Sequence, residues 1–165
     1  MPKKQTESVE KPQEEKEMPA EAAVSYYEAV GRRRVATARV RLYVNADNIT
    51  VSGNALVKGA VSVNGKSSDE YFPGDVSKRN LLEPFRTTNT LNRFAVSVKT
   101  RGGGLQGQLG AVILGISRAL LKVDLEKFRP ILKKRGFLTR DPRAKQRRKA
   151  GFAHKARARK QSPKR

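Results

Sequence analysis

The sequence predicts an α+β fold: a compact single domain of a small mixed sheet packed against two helices, with an N-terminal arm and a long basic tail outside it. Three observations lead there. Short segments dense in β-branched and aromatic residues crowd between Tyr26 and Thr100. An unbroken helical stripe of apolar residues runs from Leu109 to Val123. Beyond Gly136 large apolar residues almost vanish while Lys and Arg accumulate. Strand faces repeat every two residues and helix faces every 3.6, so the change of period marks the change of element.

In chain order, residues 1–25 are expected to form a disordered acidic arm. Residues 1–21 hold six Glu and four Lys with little that is apolar, so nothing offsets the entropy of ordering them. The ordered domain should span residues 26–136. From Tyr26 to Val44, Val35, Val40, Leu42 and Val44 are separated by Arg, Ala and Thr, which reads as a strand pair or one long bent strand. Asn45-Ala46-Asp47-Asn48 is a turn, because Asn and Asp tolerate left-handed backbone. Ile49–Val51 and Ala60–Val63 are short strands, the second closed by Asn64-Gly65, a type I′ turn signal. Asp69–Phe72 and Lys78–Phe85 suggest short helical pieces interrupted by Pro73 and Pro84. Between Arg93 and Thr100, Phe94, Val96 and Val98 alternate with Arg93, Ala95, Ser97 and Lys99, the pattern of a half-buried strand. Leu109, Val112, Ile113, Ile116, Leu120 and Val123 then form one helical stripe. A shorter helix follows, with Leu125, Phe128 and Leu132 inward, Pro130 shortening or kinking it, and Gly136 as its C-cap. Residues 137–165 form the extended basic tail.

Composition excludes several function classes. The formal net charge of +21 and pI near 10.9 are the footprint of a nucleic-acid binder or, less often, of an anionic-membrane binder. There is no cysteine and one histidine, His154, which removes disulfides, thiolate metal sites and His clusters. The longest apolar run, Ala111–Ile116, is six residues, far short of a membrane span. The N-terminus lacks the apolar core of a signal peptide. The expected location is cytoplasmic, with no membrane partner, no small-molecule substrate and no cofactor. Nothing pairs a nucleophile with a base at a recognisable spacing, so no catalytic residue is assigned and no enzyme is expected.

Nucleic acid is the remaining partner, and three segments point to it. From Lys133 to Arg165 there are fifteen Lys and Arg against one acid, Asp141. Such a segment cannot collapse on itself and stays extended until a polyanion supplies counter-charge. The candidate RNA ligands here are Lys133, Lys134, Arg135, Arg140, Arg143, Arg147, Arg148, Lys149, Lys155, Arg157 and Arg159. A membrane anchor would need an apolar face, and only Phe137, Leu138 and Phe152 are large and apolar. Gly31–Arg41 carries Arg32, Arg33, Arg34, Arg39 and Arg41. In a strand, Arg39 and Arg41 share a face, and Arg33 joins them if no bulge intervenes. The plain reading is a solvated charged face; guanidinium forks without interleaved Glu favour phosphate contact. Third, Gly102-Gly103-Gly104-Leu105-Gln106-Gly107 matches the spacing of a dinucleotide fingerprint after a strand and before a helix. No strand is expected after that helix, so the fingerprint lacks its second half. A loop without Cβ groups at a helix N-terminus, flanked by Lys99 and Arg101, suits an RNA phosphate.

In this order the segments resemble the universal ninth protein of the small ribosomal subunit, in its bacterial form. Gly31–Leu42 is similar to the family's opening signature. Arg101–Ala111 continued by Gly115–Leu120 is similar to its glycine loop and helix. Gly136–Arg143 with terminal Lys164-Arg165 is similar to its tail. The resemblance implies a structural constituent of the subunit head, with ribosomal RNA and neighbouring ribosomal proteins as partners. It also implies that Lys164 and Arg165 reach peptidyl-site transfer RNA. Four departures stand out: a longer acidic arm, an apparent insertion between Val51 and Val61, Gln146 where relatives carry Glu, and Gln161-Ser162-Pro163 where a Phe is common. A histone-like or regulatory nucleic-acid binder is the alternative; the one strong helix lacks the polar base-reading face that role needs.

Overall fold

The computed structural model describes residues 26–44, 49–51 and 54–151. The expected turn at 45–48, the arm at 1–25, and Lys155, Arg157, Arg159, Lys164 and Arg165 lie outside the described residues. The architecture is α+β. A five-stranded sheet has the order β1-β2-β7-β5-β6, formed by β1 (Tyr26–Arg33), β2 (Ala36–Tyr43), β5 (Val61–Val63), β6 (Lys66–Ser67) and β7 (Ala95–Arg101). All neighbours are antiparallel except β5 and β7, which are parallel and so require a crossover. That crossover carries α1 (Ser68–Tyr71) and α2 (Asp75–Thr87). A separate hairpin pairs β3 (Ile49–Val51) with β4 (Asn54–Leu56).

The first segment is a strand pair, not one bent strand. Arg34 and Val35 make the two-residue turn, with Arg34 at φ 52°. Asn64 and Gly65, at φ 51° and 83°, form the turn between β5 and β6 that their sequence signals. Helix α3 (Leu105–Val123) is the 19-residue helix of the apolar stripe, and its Leu109, Val112, Ile116 and Leu120 are buried against the sheet. It lies very close to β1: a Cβ on Gly31 would collide with the Ala111 carbonyl, and one on Gly115 with the Val40 side chain. Backbones meet there because neither residue has a side chain.

Three local expectations change. Helix α2 is continuous through Pro84, which is buried in its last turn, where Thr88 donates its hydroxyl to the Pro84 carbonyl at 2.9 Å. Pro84 forfeits one bond of the ladder, but its ring is buried and the Thr87 and Thr88 hydroxyls bond the carbonyls of that turn, so the helix runs through it and ends at Thr87. Strand β7 is buried on both faces at its start: Ala95 packs with Tyr43 and Leu56, the last from the β3–β4 hairpin, on the face opposite α3. Helix α4 (Leu125–Lys134) buries Phe128 and Leu132, whereas Leu125 is 52% exposed in its first turn. Asp124 caps α4, its carboxylate accepting the Lys127 N–H at 3.1 Å. Gly136, at φ 75°, donates to the Lys133 carbonyl while Phe137 donates to Leu132, the paired bonds of a Schellman stop. Phe137 and Leu138 fold back onto the main core.

Candidate nucleic-acid interface

The outer face of the sheet sorts the arginines. Directly paired strand residues point the same way, so the register reads off three cross-strand rows. Arg32, Thr37 and Arg101 form one; Val30, Arg39 and Lys99 the next; Glu28, Arg41 and Ser97 the third. With strands roughly 4.8 Å apart, Arg32, Arg39, Lys99 and Arg101 lie within about 10 Å across the sheet. Among the described residues none of these four has an ion-pair partner. Arg41 shares the face but is engaged: its Nε donates to Glu28 at 2.8 Å and its guanidinium lies 4.6 Å from the centre of the Tyr26 ring. The Glu28 hydrogen bond, first among the causes, raises the Arg41 pKa.

Arg33 does not join this face. It pairs with buried Ala36, so its side chain turns toward α3, covers Gly110 and reaches Asp141 at 3.0 Å. The two-residue turn reverses the chain between Arg33 and Arg39, and counting by twos across it fails. The residue that shares the face of Arg39 is Arg32.

The glycine loop follows β7 at the end of the sheet where the β1–β2 turn also lies. Gly102 and Gly103 have φ of 74° and 66°, a region that L side chains rarely adopt. A Cβ on Gly102 would lie 2.8 Å from the Val35 carbonyl oxygen, and one on Gly103 3.1 Å from the Ala36 Cβ. Gly104 differs: as N-cap of α3 it has φ −103° and open space where a Cβ would go. It offers no side-chain acceptor to the first turn of α3. Helices leave their first N–H groups without intrahelical partners, so this end can donate to an anion. Val35, 78% exposed, and Leu105, 52% exposed, flank the loop.

A polar relay that the sequence did not disclose fixes the loop from behind. Asn64 accepts the Thr100 N–H at 2.8 Å and donates to the Thr100 carbonyl and to the Tyr71 hydroxyl, each at 3.1 Å. Tyr71 donates to Gln108 Oε1 at 2.9 Å, and Gln108 Nε2 donates to the Gly102 carbonyl at 3.2 Å. Four segments thus form one chain of hydrogen bonds that ends, through Gln108, on a carbonyl of the loop. Asn64-Gly65 was legible only as a turn; nothing local announced its side-chain partners.

The tail root arrives at the same end. Arg140 donates to the Arg34 carbonyl at 3.4 Å. Asp141 accepts from Arg143 Nη2 at 2.8 Å and Nε at 3.0 Å, and from Arg33. The Arg143 hydrogen bonds, then the Arg33 charge, hold the Asp141 carboxyl well below the usual carboxylate range. Lys133 and Lys134 occupy the last turn of α4, Arg135 is its C-cap, and Arg147, Arg148 and Lys149 are exposed beyond it. Among the described residues there is no metal-binding cluster of acids and histidine, and no helix long and apolar enough to cross a membrane. Among the described residues α4 follows α3 and no strand comes after it, so none of them completes the dinucleotide fingerprint.

With this geometry in hand, the comparisons with known proteins are specific. The family model described as ribosomal protein S9/S16 matches residues 31–165. The chain is 47% identical over 122 residues, 74% of its length, to the small ribosomal subunit protein uS9 of Anaeromyxobacter sp. strain K, covering 84% of that relative. The protein of the same name from Anaeromyxobacter dehalogenans strain 2CP-1 matches to the same extent.

Proposed function

We propose that this chain, which belongs to the ribosomal protein S9/S16 family, binds ribosomal RNA in the head of the small subunit through one end of its sheet. Membership makes it a constituent of the small ribosomal subunit and of the translation apparatus. What supports the RNA-facing surface is convergence. Segments far apart in sequence bring Arg32, Arg39, Lys99 and Arg101, which have no acid partner among the described residues, together with the loop Gly102–Gly104 and the tail root at Arg140. Unpaired guanidinium and ammonium groups beside open backbone N–H donors are what a phosphodiester chain requires. Lys133, Lys134, Arg135, Arg147, Arg148 and Lys149 extend the basic track along the tail. The test is co-sedimentation of the tagged chain with small subunits on a sucrose gradient, wild type beside a variant carrying Ala at Arg32, Arg39, Lys99 and Arg101. The wild type should travel with the subunit and the variant should be depleted. Equal recovery of both would refute the surface, and absence of the wild type from the subunit peak would refute the function.

The reading extends to Lys164 and Arg165 as contacts to transfer RNA in the peptidyl site, which rests on the family resemblance. The two charges lie far enough along the tail to act on the order of 90 Å from Gly136 if extended. Deleting them should weaken transfer-RNA retention by programmed subunits about tenfold, roughly 1.4 kcal/mol for two charge-assisted contacts at a wet surface. Equal retention across magnesium and salt would remove that role.

A further inference from the structure

We infer that Asp141 is a clamp that fixes the direction in which the basic tail leaves the domain, and that it withholds Arg33 and Arg143 from nucleic acid. This goes beyond the surface proposed above and rests on its RNA-binding reading. Asp141 is the one acid in the segment from Lys133 to Arg165, and it is surrounded by cations on which it could have no specific hold. It has one. Both carboxylate oxygens accept from the Arg143 guanidinium, at 2.8 Å from Nη2 and 3.0 Å from Nε, and Oδ1 also accepts the Arg143 N–H at 3.0 Å. Oδ2 accepts from Arg33 Nη2 at 3.0 Å, closing a contact across 108 residues.

Arg33 is itself held in place. Its stem covers Gly110 of α3, where a Cβ would collide with the Arg33 Cδ, and its backbone pairs with Ala36. The anchor point therefore belongs to the rigid domain. On the other side of the clamp, Gly136 stops α4, Phe137 and Leu138 pack on the core, and Arg140 bonds the Arg34 carbonyl. Residues 136–143 are thus tied to the end of α4 and the core by Gly136, Phe137 and Leu138, and to the β1–β2 hairpin by Arg140 and Asp141. One carboxylate facing two guanidiniums also cancels part of the charge that a phosphate would otherwise meet. A neutral amide at this position cannot hold both cations, since it lacks the charge and one acceptor.

The consequence has an unusual sign. Removing an acid from an RNA-binding surface should strengthen nonspecific RNA binding while it loosens the tail. The experiment uses the full chain with Asp141→Asn and Asp141→Glu. Binding of an unstructured single-stranded RNA is followed by fluorescence anisotropy over a salt series. In parallel, spin labels at Lys122→Cys and Lys145→Cys report the distance from α3 to the tail; the chain has no cysteine of its own. Two released guanidiniums should steepen the log–log salt slope by about 1.4, at roughly 0.7 per phosphate on a single strand. The label distance should be narrowly distributed in the wild type and in Asp141→Glu, and broad in Asp141→Asn. An unchanged slope, or an unchanged distance distribution, in Asp141→Asn overturns the clamp. If the wild type shows no salt-dependent RNA binding at all, the binding reading fails along with it, whereas wild-type binding with an unaltered variant refutes the clamp alone.

Discussion

Three adjacent glycines close β7, and alanine at each should give a different result. At Gly102 the left-handed backbone costs a non-glycine residue about 1–2 kcal/mol, and the new Cβ sits 2.8 Å from the Val35 carbonyl oxygen, which must move. Gly102→Ala should therefore destabilise the free protein by about 2 kcal/mol or more. Gly103 carries the same left-handed cost but a softer contact, 3.1 Å to the Ala36 Cβ, so Gly103→Ala should cost about 1–2 kcal/mol. Gly104 has an allowed φ and empty space; alanine is a poorer N-cap than glycine by about 0.5–1 kcal/mol, and the lower entropy of the unfolded chain offsets most of that. Urea denaturation should show Gly104→Ala within about 0.5 kcal/mol of wild type. If RNA backbone approaches the loop as proposed, Gly104→Ala should nonetheless lose affinity by several-fold, because the added methyl occupies space that only a ligand fills. A Gly104→Ala variant as unstable as Gly102→Ala would refute the structural reasoning. One that is stable and binds RNA normally would refute the close approach.

Arg39→Ala should shallow the salt slope of RNA binding by about 0.7–0.9 with little change in melting temperature. Arg41→Ala should shift melting more, by up to about 1 kcal/mol, because it breaks the Glu28 pair and the Tyr26 contact, both partly exposed; the reverse ranking would show that Arg39 is the structural residue. Tyr71→Phe removes the hydroxyl that links Asn64 to Gln108 and should cost about 1 kcal/mol while raising amide exchange in the glycine loop; unaltered exchange there would disconnect the relay from the loop. Asp141 has a folded pKa depressed below its unfolded value, so its ion pairs contribute fully above about pH 4 and weaken only as acid titrates the folded carboxyl below that. A carboxyl chemical-shift titration should place the Asp141 midpoint well below that of an exposed carboxylate, and a midpoint near 4 would deny the clamp.

Legibility followed the range of the cause. The stripe of α3 and the Asn64-Gly65 turn were readable because periodicity and backbone preference act within a few residues. The β1–β2 turn was not, since Arg34-Val35 carries none of the usual turn residues and a β-branched Val sits at its second position; a bent strand stayed open, and with it the wrong facing of Arg33. Pro84 misled for a related reason. Proline costs a ladder bond anywhere beyond the first turn, and here burial of the Pro84 ring and the hydroxyl bonds of Thr87 and Thr88 offset it. The burial of Ala95 depends on a hairpin packed across the sheet, and the partner of Asp141 is 108 residues away, so neither leaves a local mark. The candidate surface divided the same way: the Arg-rich segment, the glycines and the tail were visible as residue types, while their shared location required the fold.

Charge counting alone also overstates what such a protein presents to RNA. Five carboxylates, Glu28, Asp69, Glu70, Asp124 and Asp141, each sit within 3.4 Å of a Lys or Arg. Their partners, Arg41, Lys78, Lys66, Lys127, Arg143 and Arg33, are thereby partly neutralised in the free protein. The cations of the sheet left without an acid among the described residues, Arg32, Arg39, Lys99 and Arg101, fall together on the outer face next to the glycine loop. Phosphate binding to an already paired guanidinium must first displace a carboxylate, so it releases fewer net counterions than binding to an unpaired one. On the sheet the acids therefore direct as well as solubilise: under the proposed reading they weaken the attraction of RNA at Arg33 and Arg41 and leave it at Arg32, Arg39, Lys99 and Arg101. If RNA lies across the sheet as proposed, free charge confined to one end of that face favours one orientation there, whereas the same charge spread evenly over the face would hold RNA in many.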